Sequence, residues 1–367
     1  MPEVEVKRYA ALEFPEYANW APNDDVMREF DDTINADEHR KVLIEGLDKA
    51  ELLDIYRGLV TARLHDIQLK RWVRQGVITK AWLGTGEEAV TVGVCRALGE
   101  NDVVGPMIRN AAALMERGVP LTSCFAAYLG TTDSITQGRD LHIGDPNKGV
   151  IPPISHIGDL VPVMAGCALA FKQRGEKRVA VTWTGDGSTA TGAFHEGIRV
   201  AASMAVPYIC IIQNNQVALG TSRTHHSPGM FESFGAAYGV PLLRMSGNHV
   251  LDCYATTKTA VEMCHAGQGP VLIVADTFRM GGHATHDERE ARSLFDETTY
   301  KHWGDRDPIG MYETYLTNHH QVSSDALETI EKQVIADIDE AAKKAVAKVK
   351  THQPDPETVG DGVYRSS

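Results

Sequence analysis

Residues 178–215 read RVAVTWTGDGSTATGAFHEGIRVAASMAVPYICIIQNN, and this stretch decides the fold. Its two ends, RVAVTWT (178–184) and PYICIIQ (207–213), are β-branched and apolar throughout rather than at alternate positions. Continuous apolarity marks strands covered on both faces, as in a parallel sheet between layers of helices. Between them a glycine turn leads into a helical segment that the sequence starts near Ser188. Strand, helix and strand make a βαβ unit, so the two strands run parallel and end at the same edge of the sheet.

That edge receives Gly185, Asp186 and Gly187 from the first strand and Asn214 and Asn215 from the second. A carboxylate oxygen and an amide oxygen thus converge beside a helix N-terminus. Two hard oxygen ligands suit Mg²⁺ or Ca²⁺, and a helix N-terminus suits phosphate. Mg²⁺ takes six oxygens; Asp186, Asn215, a backbone carbonyl, two diphosphate oxygens and a water complete the set. A metal-bridged diphosphate is the ligand this chemistry describes. GDG alone is an ordinary turn and NN alone an ordinary loop; their position at the ends of neighbouring strands makes the pair specific. The glycines at 185, 187 and 192 do not form the GxGxxG of dinucleotide sites.

Outward from this unit, PVLIVAD (270–276) reads as a third buried strand, within an alternation of strands and helices from Asp102 to Ile273. Leu52, Leu53, Tyr56, Leu59, Val60, Leu64, Ile67 and Leu69 recur at helical spacing over Lys49–Arg74, and a second helix begins near Glu87. Residues 1–48, polar and irregular with Pro2, Pro15 and Pro22, read as an N-terminal arm laid over another surface. Residues 49–320 form the α/β domain, and 321–367 a C-terminal helix and tail. That helix opens on Ser324 as N-cap, and Leu327, Ile330, Val334, Ile338, Ala341, Ala345 and Val349 mark one face. Residues 278–293 combine glycines, histidines and charges without apolar spacing, and read as a mobile loop.

The 367 residues suffice for two domains, or for one large α/β domain with extensions. Hydrophobic residues at 43% and charged residues at 23% describe a globular chain with a sizeable core. Asp and Glu number 49 against 36 Lys and Arg, a net charge of −13 that opposes binding to nucleic acid or an anionic membrane. The six cysteines lie scattered in mostly apolar stretches, as buried free thiols do. With no signal-peptide pattern and no membrane-length apolar run, the expected location is cytoplasmic.

The spacing of GDG to NN, in the context TGDGSTATGAFHEGIRVAASMAVPYICIIQNN, resembles the α subunit of the first component of 2-oxo acid dehydrogenases, of pyruvate or branched-chain type. The similarity extends from about Leu52 to Tyr315 and includes GEEA (86–89), GDLVPVMAGCALAF (158–171) and DPIGMYETYL (307–316). It implies a thiamine-diphosphate-binding fold, mainly a parallel sheet flanked by helices. It also implies that Asp186, Asn215 and the carbonyl of Val217 hold Mg²⁺, and that Gly187, Ser188 and Arg109 hold the diphosphate. Ser155 and Ile157 match positions that hold the aminopyrimidine. His283 matches the loop histidine near the diphosphate and the substrate entrance, Arg279 matches the loop arginine, and the resemblance makes these two the candidate catalytic residues. A separate β subunit is implied, which supplies the activating glutamate in an α₂β₂ assembly. The implied reaction decarboxylates a 2-oxo acid and passes the acyl group to a lipoyl arm.

The chain departs from the family in places. Ile108 replaces the tyrosine before the diphosphate arginine, and Ala111 stands where pyruvate-type members have histidine. Ala284 replaces the serine that kinases modify, so that regulation is not expected. Ile108 and the His156 segment leave room for a relative with another donor or acceptor, such as ketol transfer to a carrier protein or acetoin cleavage. A non-catalytic scaffold is disfavoured by the retained Asp186, Asn215 and Arg109. His156 could face the site, whereas His195 reads as packed or solvated and His225 and His226 as a polar loop.

Overall fold

The computed structural model describes residues 20–227, 229, 231–358 and 360–361, so Pro2, Pro15 and the rest of residues 1–19 lie outside the described part. Five strands, β1 (Val103–Gly105), β2 (Ala180–Gly185), β3 (Tyr208–Asn214), β6 (Leu242–Ser246) and β7 (Val271–Asp276), form one sheet in the order β1-β2-β3-β7-β6. Every pairing in it is parallel. Two short strands, β4 (Val217–Ala218) and β5 (Thr221–Ser222), make an antiparallel hairpin directly after β3.

Burial on both faces explains the continuous apolar runs. Ala180, Tyr208, Cys210, Ile212, Leu272 and Val274 face the helices Leu160–Arg174 and Gly192–Met204. Val181, Trp183, Ile209, Ile211, Val271 and Ile273 face the helices Glu88–Ala97 and Val250–His265. The Trp183 indole N–H donates to the Val90 carbonyl at 3.2 Å, so its polar atom is satisfied inside the core. Outside this second layer lies a helical cluster of Lys49–Arg74, Pro308–His320 and Ser324–Lys348. The first starts at a capping box in which Asp48 and Glu51 satisfy each other's backbone N–H groups.

Several elements differ from the sequence expectation. Strands β1 and β6 carry too few apolar residues in a row to stand out. Residues 24–45 are not irregular: helices Asp24–Ile34 and Glu38–Glu45, capped by Asn23 and Asp37, fold onto this chain's own core. Phe30 stacks on the His249 ring at 3.5 Å, and Arg40 pairs with buried Asp252 at 2.5 Å. The helix after GDG begins at Gly192, capped by Thr191; residues Asp186–Ala190 form a 3₁₀ turn instead of its first turn. The C-terminal helix is capped by Ser323, one residue before Ser324. Residues 278–293 are only partly an open loop: Phe278, Arg279, Met280 and Ala284 are buried, and Glu288–Arg292 is helical. Among the described residues no helix is long and apolar enough to cross a membrane.

Candidate functional site

Register places the site. Gly185 of β2 pairs with Gln213 of β3, so Asp186 and Asn215 leave the sheet side by side at its C-terminal edge. Asp186 is 1% exposed. One of its oxygens, Oδ1, accepts the Gly187 N–H at 2.7 Å, while Oδ2 is shielded from solvent and has no partner. Burial pushes its carboxyl above the usual carboxylate range, against the opposing pull of His226, the Gly187 N–H and Arg109. Gly187 is required by packing, because a Cβ there would run into the Cβ of Ala218 in the hairpin. Its N–H is engaged by Asp186, and the Ser188 hydroxyl donates to the Gly185 carbonyl at 2.5 Å.

Asn215 is fully buried, and its orientation is set by Glu87. The Glu87 carboxylate oxygen Oε1 accepts from Asn215 Nδ2 at 3.0 Å and from Gln213 Nε2 at 2.6 Å. With the amide nitrogen so held, the Asn215 oxygen faces away from Glu87; it lies 3.4 Å from the Val217 N–H. The other Glu87 oxygen lies 3.4 Å from Arg109 Nε. Arg109 also lies close to the GDG turn, since a Cβ on Gly185 would sit 3.0 Å from its Nη2. Glu88, the next residue, points elsewhere, into a buried pair with Arg63, which in turn bonds Asp307 at 2.7 Å.

Arg279 enters from the segment after β7. Its backbone N–H donates to the Asn215 carbonyl at 3.3 Å and its Nη2 to the Leu219 carbonyl at 2.8 Å, while Nη1 is buried without a partner. Burial and the Arg109 charge lower its pKa to about 10. His283 follows, half-buried, its pKa lowered to about 4 by burial and by Arg109 and Arg279. Asp287 holds this stretch by accepting the N–H groups of His283 and Ala284, and the Thr285 N–H donates to the Ala81 carbonyl at 2.9 Å. The charges of Arg109 and Arg279 thus act on Asp186, and the His283 imidazole, which burial and these two guanidinium groups keep neutral, lies beside them.

Ser155 and Ile157 lie on the loop before helix Leu160–Arg174 and are exposed, Ile157 at 67%. Ser155 Oγ is 3.1 Å from His142 Nε2, and His142 Nδ1 is 2.8 Å from Asp140. The loop meets the GDG turn at Gly158, where a Cβ would strike the Thr191 hydroxyl. His156 is also exposed, and its carbonyl accepts the Asp159 N–H at 3.3 Å. His195 bonds Tyr238 on the surface, as a solvated helix histidine does.

Three residues of the site were not read from the sequence. Glu87 orients Asn215, Gln213 holds Glu87, and His226 brings its Nε2 to 3.8 Å from Asp186 Oδ2. His226 lies on the short helix Arg223–His226, not in an open loop. The paired acids of GEEA were the available signal for Glu87; nothing local marks His226.

The cluster fits a metal-bridged diphosphate. Asp186 Oδ2, Glu87 Oε2, Arg109 Nε, Arg279 Nη1 and His226 Nε2 are all buried without hydrogen-bond partners. Four of these atoms face one another as two loose charge pairs, Glu87 with Arg109 at 3.4 Å and His226 with Asp186 at 3.8 Å, and Arg279 Nη1 is left over; buried polar groups so incompletely satisfied are rare and suit a ligand site. Among the described residues no three His, Cys, Asp or Glu side chains assemble a metal cage alone. An ion here would draw on the Asn215 amide, a backbone carbonyl and the ligand's own oxygens, as hard cations do.

The profile of the dehydrogenase E1 component family matches residues 56–354. The chain is 32% identical over 313 residues to the pyruvate dehydrogenase E1 component subunit alpha of Acholeplasma laidlawii, covering 84% of this chain and 88% of that protein. It is 29% identical over 314 residues to the subunit of the same name from Porphyra purpurea, covering 82% and 90%. Against the mitochondrial 2-oxoisovalerate dehydrogenase subunit alpha of Mus musculus it is 30% identical over 324 residues, covering 87% and 72%.

Proposed function

The chain belongs to the dehydrogenase E1 component family, and from that premise we propose that it is the α subunit of a thiamine-diphosphate-dependent 2-oxo acid dehydrogenase. The observation that carries the assignment to this site is the group of buried charged atoms around Asp186 and Asn215 that lack hydrogen bonds and meet only in loose charge pairs. Asp186, Asn215 and the Val217 carbonyl hold Mg²⁺. Arg109, with the N–H groups of Gly187 and Ser188, holds the diphosphate, a planar guanidinium being suited to phosphate oxygens. Binding there requires Gly187 to exchange its internal bond to Asp186 for the ligand. Ser155 and Ile157 offer backbone groups to the aminopyrimidine, and their exposure suits a cofactor shared with a second chain.

When bound, thiamine diphosphate supplies the electron sink that lets a 2-oxo acid lose CO₂. This chain's residues anchor, orient and exclude water. Glu87 fixes the Asn215 amide, Arg279 ties the segment after β7 to Leu219, and His283 presents a neutral imidazole at the entrance. The activating glutamate comes from a β subunit in an α₂β₂ assembly, and the acyl group passes to a lipoyl acceptor. Six free cysteines, five of them buried, accord with a cytoplasmic, reducing location.

Titrating the assembled enzyme with thiamine diphosphate, with and without Mg²⁺, tests the site. Asp186→Ala should abolish the metal-dependent part of the binding; affinity equal to the parent's would refute the assignment. Substantial 2-oxo acid decarboxylation by this chain alone would refute the need for the second subunit.

A further inference from the structure

We propose that the substrate is a short 2-oxo acid whose side chain ends in a hydroxyl, received by His65 in a recess beside the cofactor anchors. This names the substrate of the function proposed above and rests on that reading. The recess is walled by Met107, Ile108 and Asn110, which flank Arg109, and by Pro153, two residues before Ser155. Arg109 is the diphosphate anchor and Ser155 an aminopyrimidine anchor in that reading. The thiazolium ring joins those two ends of thiamine diphosphate. A recess flanked by both anchors is therefore placed to take the side chain of an acid that reacts at that ring.

Leu114, Leu141 and Ile143 keep the recess largely apolar, and its cavity volume of about 20 Å³ admits a hydroxymethyl end and not a ring. His65 is the exception in its lining. It is 1% exposed, on the helix Lys49–Arg74, with its ring stacked on Phe125 at 5.3 Å. Its Nδ1 lies 3.3 Å from Asp66 Oδ1, and Asp66 Oδ2 accepts the Gly84 N–H at 2.7 Å. The carboxylate offers only lone pairs, so Nδ1 carries the ring proton and Nε2 of the uncharged imidazole is an acceptor. Among the described residues nothing donates to it. A second residue of the wall ends in an acceptor in the same state. Glu87 takes the Gln213 amide N–H, Gln213 Oε1 takes that of Asn110 at 3.1 Å, and Asn110 Oδ1 is left buried and unpaired. A methyl end entering the recess satisfies neither acceptor. A hydroxyl end gives its proton to one of them, and the imidazole nitrogen is the more basic. A site built this way discriminates against the analogue that lacks the hydroxyl.

The test compares 4-hydroxy-2-oxobutanoate with 2-oxopentanoate, which has a methyl group in place of the hydroxyl and nearly the same shape. The assembled enzyme, loaded with Mg²⁺ and thiamine diphosphate, should decarboxylate the hydroxy acid with a kcat/KM roughly 10–100-fold higher. Calorimetric binding of the two acids to enzyme loaded with a cofactor analogue blocked at the reactive carbon should show the same preference without turnover. His65→Leu should bring both ratios to about one or below, with thiamine diphosphate bound as in the parent. The parent's two ratios decide on their own should that variant fail to fold. Equal handling of the two acids by the parent, or preference for 2-oxopentanoate, would overturn the subsite and leave the cofactor site standing. Turnover of neither acid by enzyme that binds thiamine diphosphate would overturn it as well. Failure to bind thiamine diphosphate at all would overturn the cofactor site itself.

Discussion

Replacing Glu87 by alanine removes the one acceptor shared by Asn215 and Gln213. The Glu87 oxygen Oε1 takes both amide N–H groups, at 3.0 and 2.6 Å, inside a region closed to water. Each donor left unpaired costs about 1–3 kcal/mol, so folding stability should fall by roughly 2–6 kcal/mol in Glu87→Ala. The consequence for binding is separate. Once its nitrogen is released, the Asn215 amide can turn its oxygen away from the ion, and loss of such an orienting partner weakens metal affinity roughly 10–100-fold. Glu87→Gln behaves differently. It keeps an acceptor oxygen for both amides but turns an amide N–H donor toward Arg109, 3.4 Å away, in place of the buried charge pair, so the amides stay oriented and the loss of affinity should be smaller than in Glu87→Ala. Calorimetric titration of the assembled enzyme with thiamine diphosphate at fixed Mg²⁺ reads the affinities, and urea denaturation reads stability. If Glu87→Ala, still folded, bound the cofactor like the parent, the orienting role would be refuted. If Glu87→Gln were as weak as Glu87→Ala, charge and not amide orientation would be the cause.

His249 is fully buried, its Nδ1 accepting the Asp252 N–H and its Nε2–H donating to the Phe30 carbonyl, and burial lowers its pKa from 6.5 to about 3. The unfolded chain therefore takes up a proton that the folded chain refuses, and stability is full above pH 6.5 and declines as pH falls toward 3. The loss is about 2 kcal/mol by pH 5. Denaturation at pH 7 and 5 should show that loss in the parent relative to His249→Asn; parallel behaviour of the two proteins would refute it. In the segment 278–293, hydrogen exchange should slow when thiamine diphosphate and Mg²⁺ bind, and His283→Ala should lower turnover with the fold intact. Equal exchange in both states together with unchanged turnover would leave the segment without a gating role.

The fold was legible where burial leaves no choice. Strands β2, β3 and β7 carry unbroken apolar runs because both their faces are covered, and the Lys49–Arg74 helix carries its stripe over 26 residues. β1 offers three residues, and β6 places exposed Arg244 in its middle, so neither has a periodic signature. The helices Asp24–Ile34 and Glu38–Glu45 went unread for a different reason. They bury few residues each, and their caps, Asn23 and Asp37, sit within an acidic, proline-containing stretch that resembles a loop by composition. Residues 278–293 also look polar, yet Phe278 and Met280 are anchored by Phe295, Tyr300 and Trp303 from further along the chain.

The site divides along the same line. Asp186 and Asn215 could be found because their positions depend only on strand order and strand ends, which the local sequence encodes. Glu87 and Glu88 show what local sequence does not encode. They are adjacent and chemically identical, yet one holds the Asn215 amide and the other closes a buried pair with Arg63. What separates them is the packing of helix Glu88–Ala97 between the sheet and helix Lys49–Arg74, which turns consecutive side chains toward opposite layers. His226 depends on still more: a left-handed Gln216, a two-residue hairpin and a glycine at 187 that lets the hairpin approach. Each is a weak signal alone, and only together do they carry an unremarkable surface-type histidine to the buried carboxylate. A site can thus keep its strand-end residues in plain view while the groups packed around them become visible only in three dimensions.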